Sequence, residues 1–387
     1  MKKRIISESK EIIKKILSLL IFIIIFLISL EVGAYLLTKY QLLPYNEKPI
    51  SEFHAGAPRG LSWRNEKSEW GAWHKINYED NHISSCINAN YKSNNYGARD
   101  EDFNLNAEVD YILIGDSFAE GYGVNKKDTF ETKLEKNIKK ETYNFGSAGH
   151  FGPLQYYLIY NKLAKKFKHR GVLITLLPAN DFTDNDRQFW TGRDAMDVTG
   201  AKRYRPYWRA RSDGNFEYFY PEGSIKTNCF GCPPPTIRTF LIRYTYFGSV
   251  IKSLELVYPN IFKYGKDKEI LQDPADYSGY FDSTKMQQVA ATYFLEKIIS
   301  ESQPVPVKII VIPAKKDLVK IQAGEKYRNQ YWYNWLINMQ RSYKNFDYID
   351  LADFTPEKYE SLFLSCDGHW SEVGHSWVAD VISNMLR

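Results

Sequence analysis

Tyr111-Ile112-Leu113-Ile114-Gly115-Asp116-Ser117-Phe118 is the stretch on which the fold turns. A short apolar run closed by glycine reads as a strand covered on both faces, the mark of a parallel sheet rather than a half-solvated antiparallel one. In such sheets the groups that meet ligands gather beyond the carboxyl ends of the strands, where Asp116 and Ser117 fall. The G-x-S-x-G elbow is absent, because Ala119 stands where its last glycine would be needed. Taken alone, Ser117 is either a nucleophile or the N-cap of the next helix.

Further strand signals follow at 142–146, 171–178, 307–313 and 346–351, separated by helix-compatible stretches at 129–140, 153–167, 326–343 and 371–386. Continuous apolar strands alternating with helices predict a flavodoxin-like α/β/α sandwich built on a five-stranded parallel sheet. Roughly 130 residues lie between the third and fourth strands, too many for a crossover. They read as a large insertion over about 183–300. It holds an aromatic-rich stretch at 189–220, a hairpin turn at Asp213-Gly214, a proline run at 233–235 and helices near 236–256 and 284–300. Residues 40–105 read as an irregular N-terminal arm, and 106–387 as the main domain.

The N-terminus has a different character. Residues 16–37 contain one charge, Glu31, and as a helix would span about 30 Å, one bilayer core. Residues 1–15 are a basic tail with six basic and two acidic side chains, which predicts a cytoplasmic N-terminus and a transmembrane anchor. A cleaved signal peptide is the competing reading, with Val32-Gly33-Ala34 as a passable cleavage site. Either way residues 40–387 are exported, to the periplasm or the cell exterior. The chain has 387 residues and a net charge of +5, of which the tail holds +4. The remainder is nearly neutral, which argues against a nucleic-acid partner. Four cysteines in an exported body permit disulfides, and Cys229–Cys232 with Cys86–Cys366 is the expected pairing. The Cys229-Phe230-Gly231-Cys232 run has redox-active and zinc-binding readings as alternatives; zinc needs four ligands and no second C-x-x-C or nearby His follows, so no metal site and no cofactor are expected.

Other chemistry-bearing residues follow the strands in turn. Asn144 to His150 is a glycine-rich run whose backbone N–H groups can face a developing oxyanion; a plain turn is the alternative. Asn180 can donate its amide to the same oxyanion or serve as a helix N-cap. Near the C-terminus, His369 is a base candidate and Asp367 can orient its ring. His375, early in the last helix, reads as structural.

Taken together, these blocks resemble the SGNH (GDSL-like) hydrolase family. The resemblance implies Ser117 as nucleophile, His369 as general base and Asp367 as third triad member. The Ser117 N–H, Gly149 and Asn180 would form the oxyanion hole. Ser93-Asn94-Asn95-Tyr96-Gly97-Ala98-Arg99-Asp100 is similar to the run that precedes the serine block in membrane-anchored bacterial members. The Asp-x-His-Trp block is tighter than the usual Asp-x-x-His. It resembles members that act on exported polysaccharides, including alginate O-acetylation proteins.

The expected function is an exported serine esterase that removes an acyl group, most simply acetyl, from a cell-envelope or exported glycan. The alternatives are an O-acyltransferase with the same triad, supplied by an acyl-donor membrane protein, and a non-catalytic glycan-binding or assembly protein. Trp190, Arg203, Arg205 and Trp208 are the candidate contacts for an acylated carbohydrate. In the bland reading the aromatic rings form the insertion's own core and the arginines lie over it.

Overall fold

The computed structural model describes residues 2–40, 42, 66–83, 86–149, 151–190, 205–220, 241, 245–257, 277–365 and 367–386. After the long helix α1 (Lys2–Lys39) come two hairpins, β1 (Glu66–Ser68) with β2 (Gly71–Trp73) and β3 (Glu79–Ile83) with β4 (Asn88–Lys92). The sheet region opens with β5 (Glu108–Ile114), α2 (Ser117–Glu120), α3 (Phe130–Ile138), β6 (Thr142–Asn144), α4 (Pro153–Lys162) and β7 (Lys168–Leu176). Next are α5 (Pro178–Asp184), α6 (Arg187–Trp190), β8 (Tyr207–Ala210), β9 (Phe216–Phe219) and α7 (Tyr246–Val257). The chain closes with α8 (Gly279–Asp282), α9 (Lys285–Glu301), β10 (Val307–Val311), α10 (Lys315–Gln322), α11 (Tyr331–Ser342), β11 (Phe346–Asp350) and α12 (Glu372–Leu386).

Five of these strands form one parallel sheet in the order β11-β10-β7-β5-β6. The winding direction reverses between β5 and β7, the switch point of a doubly wound sheet. The apolar runs explain the two-layer cover. Ile112 and Ile114 face a core shared with Ile159, Leu295, Ile298, Trp332 and Leu336, from α4, α9 and α11. Leu113, between them, faces Phe130, Leu134, Val378 and Ile382, from α3 and α12. Period-two alternation thus buries both sides, and a continuous apolar strand is what that requires. The strand expected over 171–178 stops at Leu176, because Pro178 opens α5.

The arm is less irregular than its polar sequence suggests, since it carries both short hairpins. In the insertion, β8 and β9 pair antiparallel around Asp213-Gly214, with Gly214 at φ +83° as the turn demands. Thr284 and Gln287 form a reciprocal cap that starts α9. By internal compactness the chain comprises two units, residues 1–51 with 233–268, and residues 52–232 with 269–387. In the first, Lys10–Lys39 is long and apolar enough to cross a membrane.

Candidate active site

The serine turn is built by exclusion. A Cβ on Gly115 would lie 1.8 Å from Thr175 Oγ1 and 2.8 Å from Ala119 Cβ, so only glycine lets β5 run straight into α2. The N-cap of α2 is Asp116, whose carboxylate accepts the Phe118 N–H at 3.0 Å. Ser117 is therefore not the cap. It opens the helix half-buried, and Gly121 ends α2 in the left-handed region at φ +78°. The loop after β6 presses on the same turn: a Cβ on Gly146 would lie 2.4 Å from the Glu120 nitrogen.

His369 Nε2 lies 2.7 Å from Ser117 Oγ, across 252 residues of sequence. Its Nδ1 is hydrogen-bonded to Asp367 Oδ1, and the same oxygen accepts the His369 backbone N–H at 2.9 Å. The Asp-x-His spacing works because one carboxylate oxygen closes its own turn and holds the ring two residues on. Burial raises the Asp367 pKa, but its contacts with His369 outweigh that and hold it below the usual value, with the His82 charge adding to the effect. The ring sits between Phe118 and Tyr122, with centroids 5.0 and 4.4 Å away. Trp370 fixes the turn from below. It is buried, edge-on to Phe118 and Phe130, while Phe363 bridges to it and Leu364 N–H donates to the His369 carbonyl at 2.8 Å.

Gly149 (φ +98°) follows β6 and Asn180 lies in the first turn of α5, so both stand at the carboxyl ends of strands flanking β5. Asn180 is not the α5 N-cap, a position Leu177 fills. Its Nδ2 donates to Asp184 Oδ2 at 2.6 Å. Beneath lies a nest of buried carboxyls. Burial pushes Asp116 up to about 7, against hydrogen bonding from Phe118 and the His369 charge. Burial likewise pushes Asp184 up to about 7, against the Arg205 charge, and raises Asp181 well above its usual value.

Several residues escape a motif reading. Arg99, from the arm, donates to the carbonyls of Glu120 at 3.0 Å, Gly121 at 2.5 Å and Val124 at 2.6 Å, and stacks on Tyr91 at 3.8 Å. It thereby closes the carboxyl end of the serine helix, where a cation is electrostatically favoured. Asp100 Oδ2 accepts the Asn144 N–H at 2.8 Å while Oδ1 pairs with Lys126 at 2.7 Å. Glu120 Oε2 accepts the Ala148 N–H and faces His74 Nε2 at 3.3 Å, both side chains fully buried. This carboxylate fixes the Ser147–Ala148 peptide, one unit ahead of the peptide that carries the Gly149 N–H. The Ser93–Asp100 run signalled Arg99 and Asp100; nothing local marks Glu120 or His74.

Of the residues singled out for carbohydrate, Arg205 lies buried beside Asp184. It is 2% exposed, its Nε donates to Tyr207 at 2.8 Å, and it faces Asp184 at 3.8 Å, so its charge is directed inward. Trp208 packs edge-on against Phe216 in an apolar cluster with Leu154, Leu158 and Phe294. Trp190 ends α6, while its side chain, Arg203 and His150 lie outside the described residues. Cys86 is disulfide-bonded; Cys229, Cys232 and Cys366 lie outside the described residues. A cavity of about 890 Å³ lies elsewhere, lined by Tyr111, Arg170, Lys308 and Phe346 at the amino ends of the strands. It is on the wrong side of the sheet for Ser117.

No protein-family model matches this chain, and no curated protein matches it. Among solved structures it is similar to a protein assigned to the G-D-S-L lipolytic family from Desulfitobacterium hafniense DCB-2, at 12% identity. That match covers 71% of this chain and 98% of the other, with a TM-score of 0.32. It is also similar to the lipase Lip_vut3 from a goat rumen metagenome, at 11% identity over 71% of this chain and 96% of that one, with a TM-score of 0.34.

Proposed function

We propose that this chain is a serine hydrolase of the SGNH type, acting as an esterase on an acylated glycan outside the cytoplasm. The observation that carries the reading is the hydrogen-bonded series from Ser117 Oγ to His369 Nε2 at 2.7 Å and from His369 Nδ1 to Asp367. A serine hydroxyl is a weak nucleophile unless a base removes its proton as it attacks. His369 is placed to take that proton, while Asp367 fixes the ring tautomer and stabilises the imidazolium. Oγ adds to the ester carbonyl, and the oxyanion is received by the Ser117 and Gly149 N–H groups and the Asn180 amide. Collapse expels the alcohol, protonated by His369. Water, activated by the same imidazole, then releases the acid and restores the serine. An acetylated sugar is the favoured ester, since the Asp-x-His-Trp block resembles that of members acting on exported polysaccharide. A sugar hydroxyl in place of water would make the reaction an O-acyl transfer.

The test uses the full chain in detergent with a fluorophosphonate probe and p-nitrophenyl acetate. Labelling and hydrolysis, both lost in Ser117→Ala, are expected. Absence of both in the unsubstituted chain rejects the enzyme reading, and labelling that persists in Ser117→Ala rejects the site. Hydrolysis of acetylated polysaccharide, followed by acetate release with and without added sugar acceptor, separates esterase from transferase.

A further inference from the structure

Glu31 is the sole charge in an apolar helical stretch, a costly place for a carboxylate, and such residues face partners rather than lipid. Its partners here are backbone. Oε1 accepts the Tyr246 N–H at 2.6 Å and Oε2 the Phe247 N–H at 3.0 Å, at the first turn of α7. Those N–H groups have no acceptor within their own helix, and the negative group suits the helix dipole. The contact continues along one face of α1. Between residues 10 and 39, Leu30 and Glu31 are half-buried and Ala34 and Thr38 are buried; the other side chains are exposed. Ala34 and Thr38, both small and one turn apart, let a second helix approach closely, and Tyr35 meets Tyr246 edge-on at 5.1 Å.

Depth follows from the helix rise. Eight residues separate Glu31 from Lys39, so α7 begins about 12 Å below the end of α1. Lys39, Tyr40 and Tyr35 are the residue types that settle at a membrane surface. The first turn of α7 therefore lies at or inside the hydrocarbon boundary, where no water can take the place of a missing acceptor for an N–H. Glu31 supplies that acceptor.

We propose that α7 is a second membrane-embedded element, docked on the Leu30–Glu31–Ala34–Thr38 face of α1 and bathed in lipid on its outer side, with the charges of Lys252 and Glu255 carried to the headgroups by their long stems. The partner of this surface is the acyl region of the bilayer. The proposal rests on α1 being a membrane helix, and it requires α1 to be retained. Cleavage after Ala34 would remove Glu31 and leave the first turn of α7 without its acceptor.

The test places an environment-sensitive nitrobenzoxadiazole label at Leu254→Cys, an exposed position on α7, in the full chain reconstituted into phosphatidylcholine vesicles. The unsubstituted chain, taken through the same labelling, is the blank. Leu20→Cys on α1 is the control. The expected result is blue-shifted emission at 254, lost on adding nitroxide-labelled lipid and unaffected by aqueous iodide. In Glu31→Leu the same label should become sensitive to iodide. If the label at 20 behaves as lipid-embedded while that at 254 is quenched by iodide, the anchor stands and the role of α7 is overturned. Shielding of 254 from both quenchers means a protein partner or second copy covers it, and likewise overturns the proposal. If 20 is also open to iodide, or the chain is recovered without its first 34 residues, the membrane reading of α1 fails.

Discussion

At the scale of single residues, two acceptors decide how the site is held. Asp367 Oδ1 holds both the backbone and the ring of His369, so Asp367→Asn presents the wrong tautomer without emptying the space. A loss of about 10⁴-fold in kcat on p-nitrophenyl acetate is expected, with the melting temperature little changed. Glu120 acts indirectly, by gripping the Ala148 N–H and so aiming the peptide that carries Gly149. Glu120→Gln retains a carbonyl acceptor and should keep most activity, whereas Glu120→Ala leaves a buried N–H unpaired. For Glu120→Ala, a drop of about 1–3 kcal/mol in urea stability is expected, with kcat falling more than KM rises. Equal loss in both variants would show that the charge, not the acceptor, matters. Asn180→Ala should cost about 10²–10³ in kcat if its amide meets the oxyanion.

At the scale of elements, α12 and α3 are joined by a histidine that does no chemistry. His375 Nδ1 accepts the Phe130 N–H at 3.0 Å at the start of α3. Burial, with the Arg99 charge next, lowers its pKa to about 3. Its ordinary value is 6.5, so between these limits the unfolded chain binds the extra proton. The stabilisation is whole above about pH 6.5 and drains away as pH falls toward 3. His375→Ala should lower the urea midpoint at neutral pH by the equivalent of about 1–3 kcal/mol, and the gap to the unsubstituted chain should close on acidification. The elements themselves were largely legible. Four of the five sheet strands are long enough, or apolar enough, to declare a buried core; the three-residue β6 is marked instead by the glycine-rich run that follows it. The residues of the proposed triad were legible because Ser117 and Asp367–His369 each sit in a short recognisable block, and the structure hydrogen-bonds them in series. The β1–β4 hairpins were not, since three- and five-residue polar strands carry little hydrophobic pattern. Glu120 and His74 were hidden for another reason: their meaning lies in a contact between segments 46 residues apart. The partner of Glu31 was hidden likewise, being 215 residues away.

At the scale of the whole molecule, the buried carboxyls set the response to pH. The Asp116 pKa stands at about 7 against 3.8 in the open chain, so the folded form holds a proton that the unfolded form has released. Stability from this group is complete below about pH 4 and falls as pH rises through 7. Asp116→Asn keeps an N-cap acceptor for Phe118 and removes the titration. Urea midpoints of the variant should therefore decline less steeply between pH 4 and 7 than those of the unsubstituted chain. Parallel slopes would mean that Asp116 ionises normally. Arg99 has a further consequence, for where this protein can be cut. The sheet begins at Glu108, and a fragment starting there would contain every residue of the proposed triad. It would also lack the guanidinium that takes up three carbonyls at the exit of the serine helix. A minimal catalytic fragment designed from the sheet alone would thus carry a complete set of reacting groups on an unfinished turn. The smallest autonomous version of this protein has to start upstream of its own first sheet strand.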